Sequence, residues 1–254
     1  LLFEAFNANS LDFGHAADAP TAFAQAAGIP FVYVAAEPAY PRGLALLAPG
    51  GSAVQKVADL KGKRVAIGHG WNCEYQLVRA LEEAGLQYGD VKPVYVKSAA
   101  DARAVLESSS ADAVGLWDPF YAVVELDDRP RVLRDGLGLT PNYTFLVASP
   151  GFAQERPQLI CALLEELVKV DEWANQHPEE VAVLLSKDLG VNQEALLRAT
   201  QRREYGVHPV DAETVAAQQR LADKFFEIGE LPTKINVQKA VPAKPPWWKT
   251  TSGS

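Results

Sequence analysis

RVAIGHGWNCEYQLVRALEEAGL occupies Arg64–Leu86. A short apolar run, Val65–Ile67, meets a turn holding Gly68 and Gly70, and then a segment with helical periodicity that stops at Gly85. The stretch reads as strand, glycine-rich turn, helix. That arrangement aims the first backbone N–H groups of the helix at a space beyond the sheet, a place suited to an anion. The turn carries an indole, an amide, a thiol and a carboxylate: Trp71, Asn72, Cys73 and Glu74.

Outward from this stretch the same alternation recurs. LDFG (Leu11–Gly14), FVYVAAE (Phe31–Glu37) and GLALLAP (Gly43–Pro49) read as strands. VKPVYVK (Val91–Lys97), ADAVGLW (Ala111–Trp117), RVLRD (Arg131–Asp135) and TFLVAS (Thr144–Ser149) do likewise. Helical segments separate them, and Asp18 with Pro20 marks the start of one that ends at Gly28. DPFYAVVEL opens on Asp118 and Pro119. Beyond Pro150 helical periodicity dominates. Strands alternating with helices predict an α/β protein with largely parallel sheets. Residues 50–142 hold a complete β-α-β-α-β-α-β set and read as one lobe. Residues 1–49 and 143–254 read as the other, with GLALLAP and TFLVAS as crossing hinge strands. A ligand then sits in the cleft, beyond strand ends and at helix starts.

The chain has 254 residues, 48% hydrophobic and 22% charged, with net charge −8, which is ordinary globular composition. The acidic balance and the absence of a basic patch argue against nucleic acid as a partner. No apolar run approaches the ~20 residues of a membrane span. The two cysteines, Cys73 and Cys161, lie 88 positions apart, and neither has metal-ligand spacing. Neither a metal nor a cofactor is expected. Methionine is absent, the first residues read as the back half of a helix, and the closing TTSGS reads as an engineered linker.

Several segments together resemble one family. They are SLDFG (Ser10–Gly14), DAPTAFAQAAG (Asp18–Gly28), YVAAEP (Tyr33–Pro38), VADLKGKRVAIG (Val57–Gly68), LVRALEEAGL (Leu77–Leu86), ADARAVLESSSADAVGLWDPFYA (Ala100–Ala122), RVLRDG (Arg131–Gly136) and FLVAS (Phe145–Ser149). YGVHPVDAETVAAQQRLADKFFEIGELP (Tyr205–Pro232) fits the family's C-terminal helix. The chain resembles the periplasmic substrate-binding proteins of ABC importers for aliphatic sulfonates, with taurine and nitrate binders as wider relatives. The resemblance implies a type II periplasmic-binding-protein fold, capture of a small organic ligand by cleft closure, and delivery to a membrane permease, without chemistry. It also implies that about forty residues of strand, helix and strand precede Leu1, supplied elsewhere or spliced away, as in a sensor-type fusion.

In the family the anionic head group lies between helix starts of the two lobes. By position these are His15, Ala16, Ala17 and Asp18 in one, and Gly70, Trp71, Asn72 and Cys73 in the other. The expected ligand-binding residues are therefore His15, Ala17, Asp18, Gly70, Trp71, Asn72, Cys73, Glu74, Trp117 and Tyr143. His15-Ala16-Ala17 stands where the family has small hydroxyl residues, and Trp71-Asn72-Cys73-Glu74 where it has a serine-rich run and a histidine. Glu74 in the first turn would weaken the positive end of the helix dipole and attract an ammonium. Trp71 offers a face to a cation or a flat ring. The expected ligand is thus a sulfonate, a taurine-like zwitterion or a related anion. An alternative is an engineered binder with an amine, amino-acid-like or aromatic ligand. A second alternative is an enzyme of thiamine-pyrimidine synthesis, with Cys73 as nucleophile and His69 as base. Each site residue also has a structural reading: Glu74 as a capping residue, Trp71 as a packed aromatic, Trp117 as hinge packing, His15 as a loop histidine. A metal site built from His15, His69 and Glu74 has no recognised ligand spacing.

Overall fold

The computed structural model describes residues 2–248, so the linker reading of TTSGS lies outside the described residues. The chain opens with α1 (Leu2–Asn7), β1 (Phe13–Ala17), α2 (Asp18–Ala26) and β2 (Val32–Ala36). There follow β3 (Leu44–Ala48), β4 (Arg64–Ile67), α3 (Asn72–Glu83), β5 (Lys92–Tyr95), α4 (Ala99–Glu107), β6 (Ala113–Trp117), α5 (Phe120–Asp127) and β7 (Arg131–Asp135). β8 (Thr144–Ala148) leads into α6 (Pro150–Glu155), α7 (Pro157–Gln176), α8 (Pro178–Leu189), α9 (Gln193–Gln201) and α10 (Ala212–Glu227).

These elements sort into two compact units. Unit 1 comprises residues up to Pro38, Tyr143–Gln176 and residues from Tyr205 onward, and unit 2 comprises Ala39–Asn142 and His177–Glu204. The first boundary therefore falls at 38/39, where the sequence suggested 49/50. The reason is pairing: β3 hydrogen-bonds to β6 and β7 and so belongs to unit 2. Residues 177–204, read from the sequence as part of the other lobe, pack in unit 2 through an alanine-rich contact of Ala195 and Ala199 with Ala122.

In unit 1 a three-stranded sheet has the order β1-β8-β2. β8 runs antiparallel to both neighbours, with Phe13 opposite Ala148 and Ala17 opposite Thr144. β1 and β2 are thus parallel to each other across β8, joined by the α2 crossover. The core of unit 1 gathers Tyr33, Phe145 and Phe225, each nearly inaccessible to solvent. Tyr33 meets Phe145 edge-on at 4.9 Å, and Phe23 of α2 meets Phe225 of α10 at 5.2 Å.

In unit 2 a five-stranded sheet has the order β5-β4-β6-β3-β7. Only β4 with β5 and β4 with β6 are parallel pairs, while β3 is antiparallel to β6 and β7. The expectation of largely parallel sheets is corrected here. Parallel neighbours need a crossover such as the helices between β4, β5 and β6, whereas β3 and β8 arrive by short loops and are free to run the other way. All five residues of β3 are buried, matching its unbroken apolar run. One face of the sheet packs on Leu106, Tyr121 and Val124 from α4 and α5, the other on Leu77, Ala80 and Leu81 from α3.

Candidate functional site

Several helices begin on a side chain that accepts a first-turn N–H. Ser98 does so for α4, Ser149 for α6, Asn192 for α9 and Asp211 for α10. α2 and α3 begin on Ala17 and Trp71, and neither residue makes a side-chain cap. α5 and α8 likewise begin on Pro119 and His177 without a side-chain cap. The first amides of a helix have no partner within it; at α2 they are paired by other means, the Asp18 N–H donating to Tyr143 O at 3.0 Å and the Ala19 N–H to the Asp18 carboxylate, while Pro20 has none.

The start of α3 is shaped by its two glycines. A Cβ on Gly68 would lie 1.8 Å from the Trp71 indole, so only glycine leaves room for that ring. Gly70 has φ +69°, a left-handed backbone that favours glycine. Its N–H donates to Glu74 Oε2 at 2.6 Å, and the Tyr88 hydroxyl donates to Glu74 Oε1 at 2.6 Å. Glu74 has no solvent exposure. The expectation that it faces an ammonium is corrected: its carboxylate is spent on holding the turn. Burial and the bond to Glu74 raise the Tyr88 pKa, which keeps the phenol protonated as a donor.

The other expected residues of unit 2 lie around this turn. The Asn72 amide donates to Asn142 Oδ1 at 2.5 Å, and Asn142 in turn donates to Tyr40 O at 2.8 Å. Cys73 is 1% exposed and packs with Leu44, Ile67 and Trp117. A nucleophile must be reachable, so the thiol is not placed for the role the enzyme alternative gave it. His69 is exposed and its ring meets Tyr95 edge-on. Trp117, the last residue of β6, meets Trp71 edge-on at 4.9 Å.

Asp118, next in the chain, is buried and accepts from the Tyr40 hydroxyl at 2.6 Å and from the Ala122 N–H at 3.1 Å. Burial raises its pKa, against the pull of Arg202 and the Tyr40 hydrogen bond. The Asp118-Pro119 peptide is cis.

In unit 1, His15 and Ala17 lie on β1, and Asp18 is the first residue of α2. His15, read from the sequence as part of a helix start, is a strand residue whose Nε2 lies 2.9 Å from Glu37 Oε1. The strand ends three residues later than the apolar pattern suggested, at Ala17 instead of Gly14, because β1 pairs with β8 as far as Ala17. Asp18 is 2% exposed; its carboxylate accepts from Ala19 N–H at 2.8 Å and from Tyr143 N–H at 3.1 Å. Burial dominates and pushes its pKa up to about 7, while those amides pull it down. Gln218 of α10 donates to the Asp18 carbonyl at 2.7 Å and to the Tyr33 hydroxyl at 3.3 Å. Tyr143 also has a raised pKa, mainly from burial and the negative charge of Glu213.

Two groups thus emerge: His15, Ala17, Asp18 and Tyr143 in unit 1, and Gly70, Trp71, Asn72, Cys73, Glu74 and Trp117 in unit 2. Gly68, Tyr88, Asn142 and Gln218 join them as supporting residues that the sequence did not single out. Among the described residues no three His, Cys, Asp or Glu side chains cluster as metal ligands, and no helix is long and apolar enough to cross a membrane.

A two-unit α/β chain in which a helix starts directly beyond a strand end in each unit, α2 after β1 and α3 after β4, has the build of a solute-binding protein. Residues 3–181 match the family described as NMT1/THI5 like. A relative from Escherichia coli (strain K12), named for binding aliphatic sulfonates, is 35% identical over 94% of this chain and 75% of its own length. The crystal structure of the periplasmic aliphatic sulphonate binding protein SsuA from Escherichia coli superposes with TM-score 0.90 at 35% identity, covering 96% of this chain and 79% of that one. The alkanesulfonate-binding protein SsuA from Xanthomonas axonopodis pv. citri, bound to MOPS, gives TM-score 0.87 at 34% identity, covering 95% and 83%. The chain belongs to the NMT1/THI5-like family and, within it, to the solute-binding proteins of ABC import. These three relatives are named as binding proteins.

Proposed function

We propose that the chain binds a small organic sulfonate outside the cytoplasm, closes its two units on it, and presents the closed form to an ABC permease. The observation that carries this reading is the start of α3 at Trp71-Asn72, beyond the end of β4 and without a side-chain cap, in a chain 35% identical to a protein named for binding aliphatic sulfonates. A helix start offers amides and about half a positive charge to an anion without requiring a lysine or arginine. The N–H groups near Cys73 and the Asn72 amide hold the sulfonate oxygens, Asp18 orients the start of α2, and Trp71, Trp117 and Tyr143 cover the organic part. The buried, doubly bonded Glu74 removes the reason to favour an amine. The packed thiol of Cys73 removes the reason to favour a covalent enzyme.

Closure is driven only by contacts the ligand makes better in the closed state. Calorimetry against ethanesulfonate, hexanesulfonate, taurine, glutamate and an aromatic amine tests the ligand class, and small-angle scattering tests closure. Heat with the sulfonates and a smaller radius of gyration on saturation are expected. Heat with the amine alone, or chemical conversion of a ligand, would overturn the reading.

A further inference from the structure

In unit 2, Trp71, Trp117 and Phe120 form a continuous aromatic run. The Trp71 and Trp117 rings lie 4.9 Å apart at 85°, and the Trp117 and Phe120 rings 5.6 Å apart at 82°. Trp71 follows β4, Trp117 ends β6, and Phe120 begins α5. All three therefore stand beyond the C-terminal ends of two parallel strands, the side where α/β sheets bind ligands.

Two observations separate this run from ordinary core packing. The large aromatics of the core, Tyr33, Phe145 and Phe225, are at most 1% exposed, whereas Phe120 is 37% exposed and Trp71 and Trp117 are half-buried. Trp71 is also inlaid over Gly68, where a Cβ would stand 1.8 Å from its ring. The indole thus lies against Gly68 on one side and meets Trp117 edge-on, and a wall already packed in this way loses little entropy on binding.

We infer that this aromatic wall makes the site selective for sulfonates whose organic part is a planar aromatic ring. The inference rests on the sulfonate reading above and adds the class of tail. An indole has an electron-rich face and a positive rim. An aryl ring likewise presents a positive C–H edge that can meet an indole face and a flat face that can take an indole edge. A saturated ring of equal carbon number buries a similar area but lacks that electrostatic term.

Benzenesulfonate against cyclohexanesulfonate isolates the effect, with hexanesulfonate as the flexible six-carbon control. Calorimetry on the unmodified protein is expected to show benzenesulfonate bound roughly two- to tenfold more tightly than cyclohexanesulfonate. Trp71→Leu and Trp117→Leu, each checked for native circular dichroism, should bring that ratio close to one. Equal or reversed affinities in the unmodified protein would overturn the inference and leave the sulfonate reading standing. A ratio that survives both folded variants would overturn it too. No heat with any of the three sulfonates would bring down the sulfonate reading and this inference with it. Should neither variant fold, the ratio in the unmodified protein decides.

Discussion

Asp18 is a carboxylic acid almost without access to water, held by two backbone amides and pushed up to about pH 7 by burial. In the unfolded chain an aspartate titrates near 3.9. Between roughly pH 4 and 7 the folded state keeps a proton that the unfolded state has lost, so this group's contribution to stability falls as pH rises across that window. It is fully present below the window and absent above it, a change of about 4 kcal/mol at 1.36 kcal/mol per pH unit. Asp18→Asn retains an acceptor for the amides but cannot ionise. Urea unfolding at pH 4 and pH 7.5 should show the natural protein losing stability relative to Asp18→Asn as pH rises. Parallel curves would show that Asp18 titrates normally. Glu74 presents the opposite case, a buried carboxylate satisfied by Gly70 N–H and the Tyr88 hydroxyl. Glu74→Ala strands both donors and should cost about 1–3 kcal/mol in unfolding free energy. Glu74→Gln keeps an acceptor and should lose less. Neither substitution should tighten sulfonate binding, since the carboxylate does not face solvent.

At the scale of the element, α3 shows what the chain's local pattern discloses and what it hides. Its periodicity and its stop before Gly85 place the helix within a residue of where it lies, at Asn72–Glu83. Most of the eight strands among the described residues are likewise visible as apolar runs, though β7, RVLRD, is mostly charged. These signals are local, and local chemistry sets them. What Trp71, Asn72 and Glu74 touch is decided by residues far along the chain. Tyr88 reaches Glu74 from 14 positions away and Asn142 reaches Asn72 from 70. No periodicity encodes such pairings, so the sequence leaves Glu74 open between a ligand group and a capping residue, and the structure makes it a brace. Strand direction is hidden for the same reason, because it depends on which loops cross between units. Gly68 is the one residue of the turn whose role combines both scales. Gly68→Ala puts a Cβ inside the indole of Trp71. The ring must leave, at a cost of about 1–3 kcal/mol in stability, and the aromatic wall goes with it. Near-ultraviolet circular dichroism should lose the tryptophan signal of the coupled Trp71–Trp117 pair, while far-ultraviolet helix content stays unchanged.

At the scale of the whole molecule, the chain leaves unit 2 at Asn142 and returns to it at His177, adding α8 and α9, of which α9 packs on α5. The joint that fixes this segment is ionic and largely buried. Arg202, 17% exposed, lies 2.6 Å from Glu125 Oε2 and 3.5 Å from Asp118 Oδ2, with its guanidinium 4.3 Å from the centre of the Tyr121 ring. Arg198 adds a second contact to Glu125 at 3.2 Å, and the Tyr40 hydroxyl bridges Asp118 to the Ala199 carbonyl. Asp118, Pro119 and Tyr121 belong to the WDPFYA stretch, so part of that motif serves to dock α9 rather than to touch a ligand. A buried pair contributes little net stability when complete, yet removing one partner leaves an unpaired buried charge. Arg202→Met should therefore cost about 3–5 kcal/mol, with hydrogen exchange rising first in α8 and α9. Adding Asp118→Asn to Arg202→Met removes the stranded charge and should recover part of the loss. If exchange in α8 and α9 stays slow after Arg202→Met, the alanine contact of Ala122 with Ala195 and Ala199 holds the segment and the ion pair does not. If the double variant is no more stable than Arg202→Met, the cost lies in the packing of Arg202 on Tyr121 and not in the charge of Asp118.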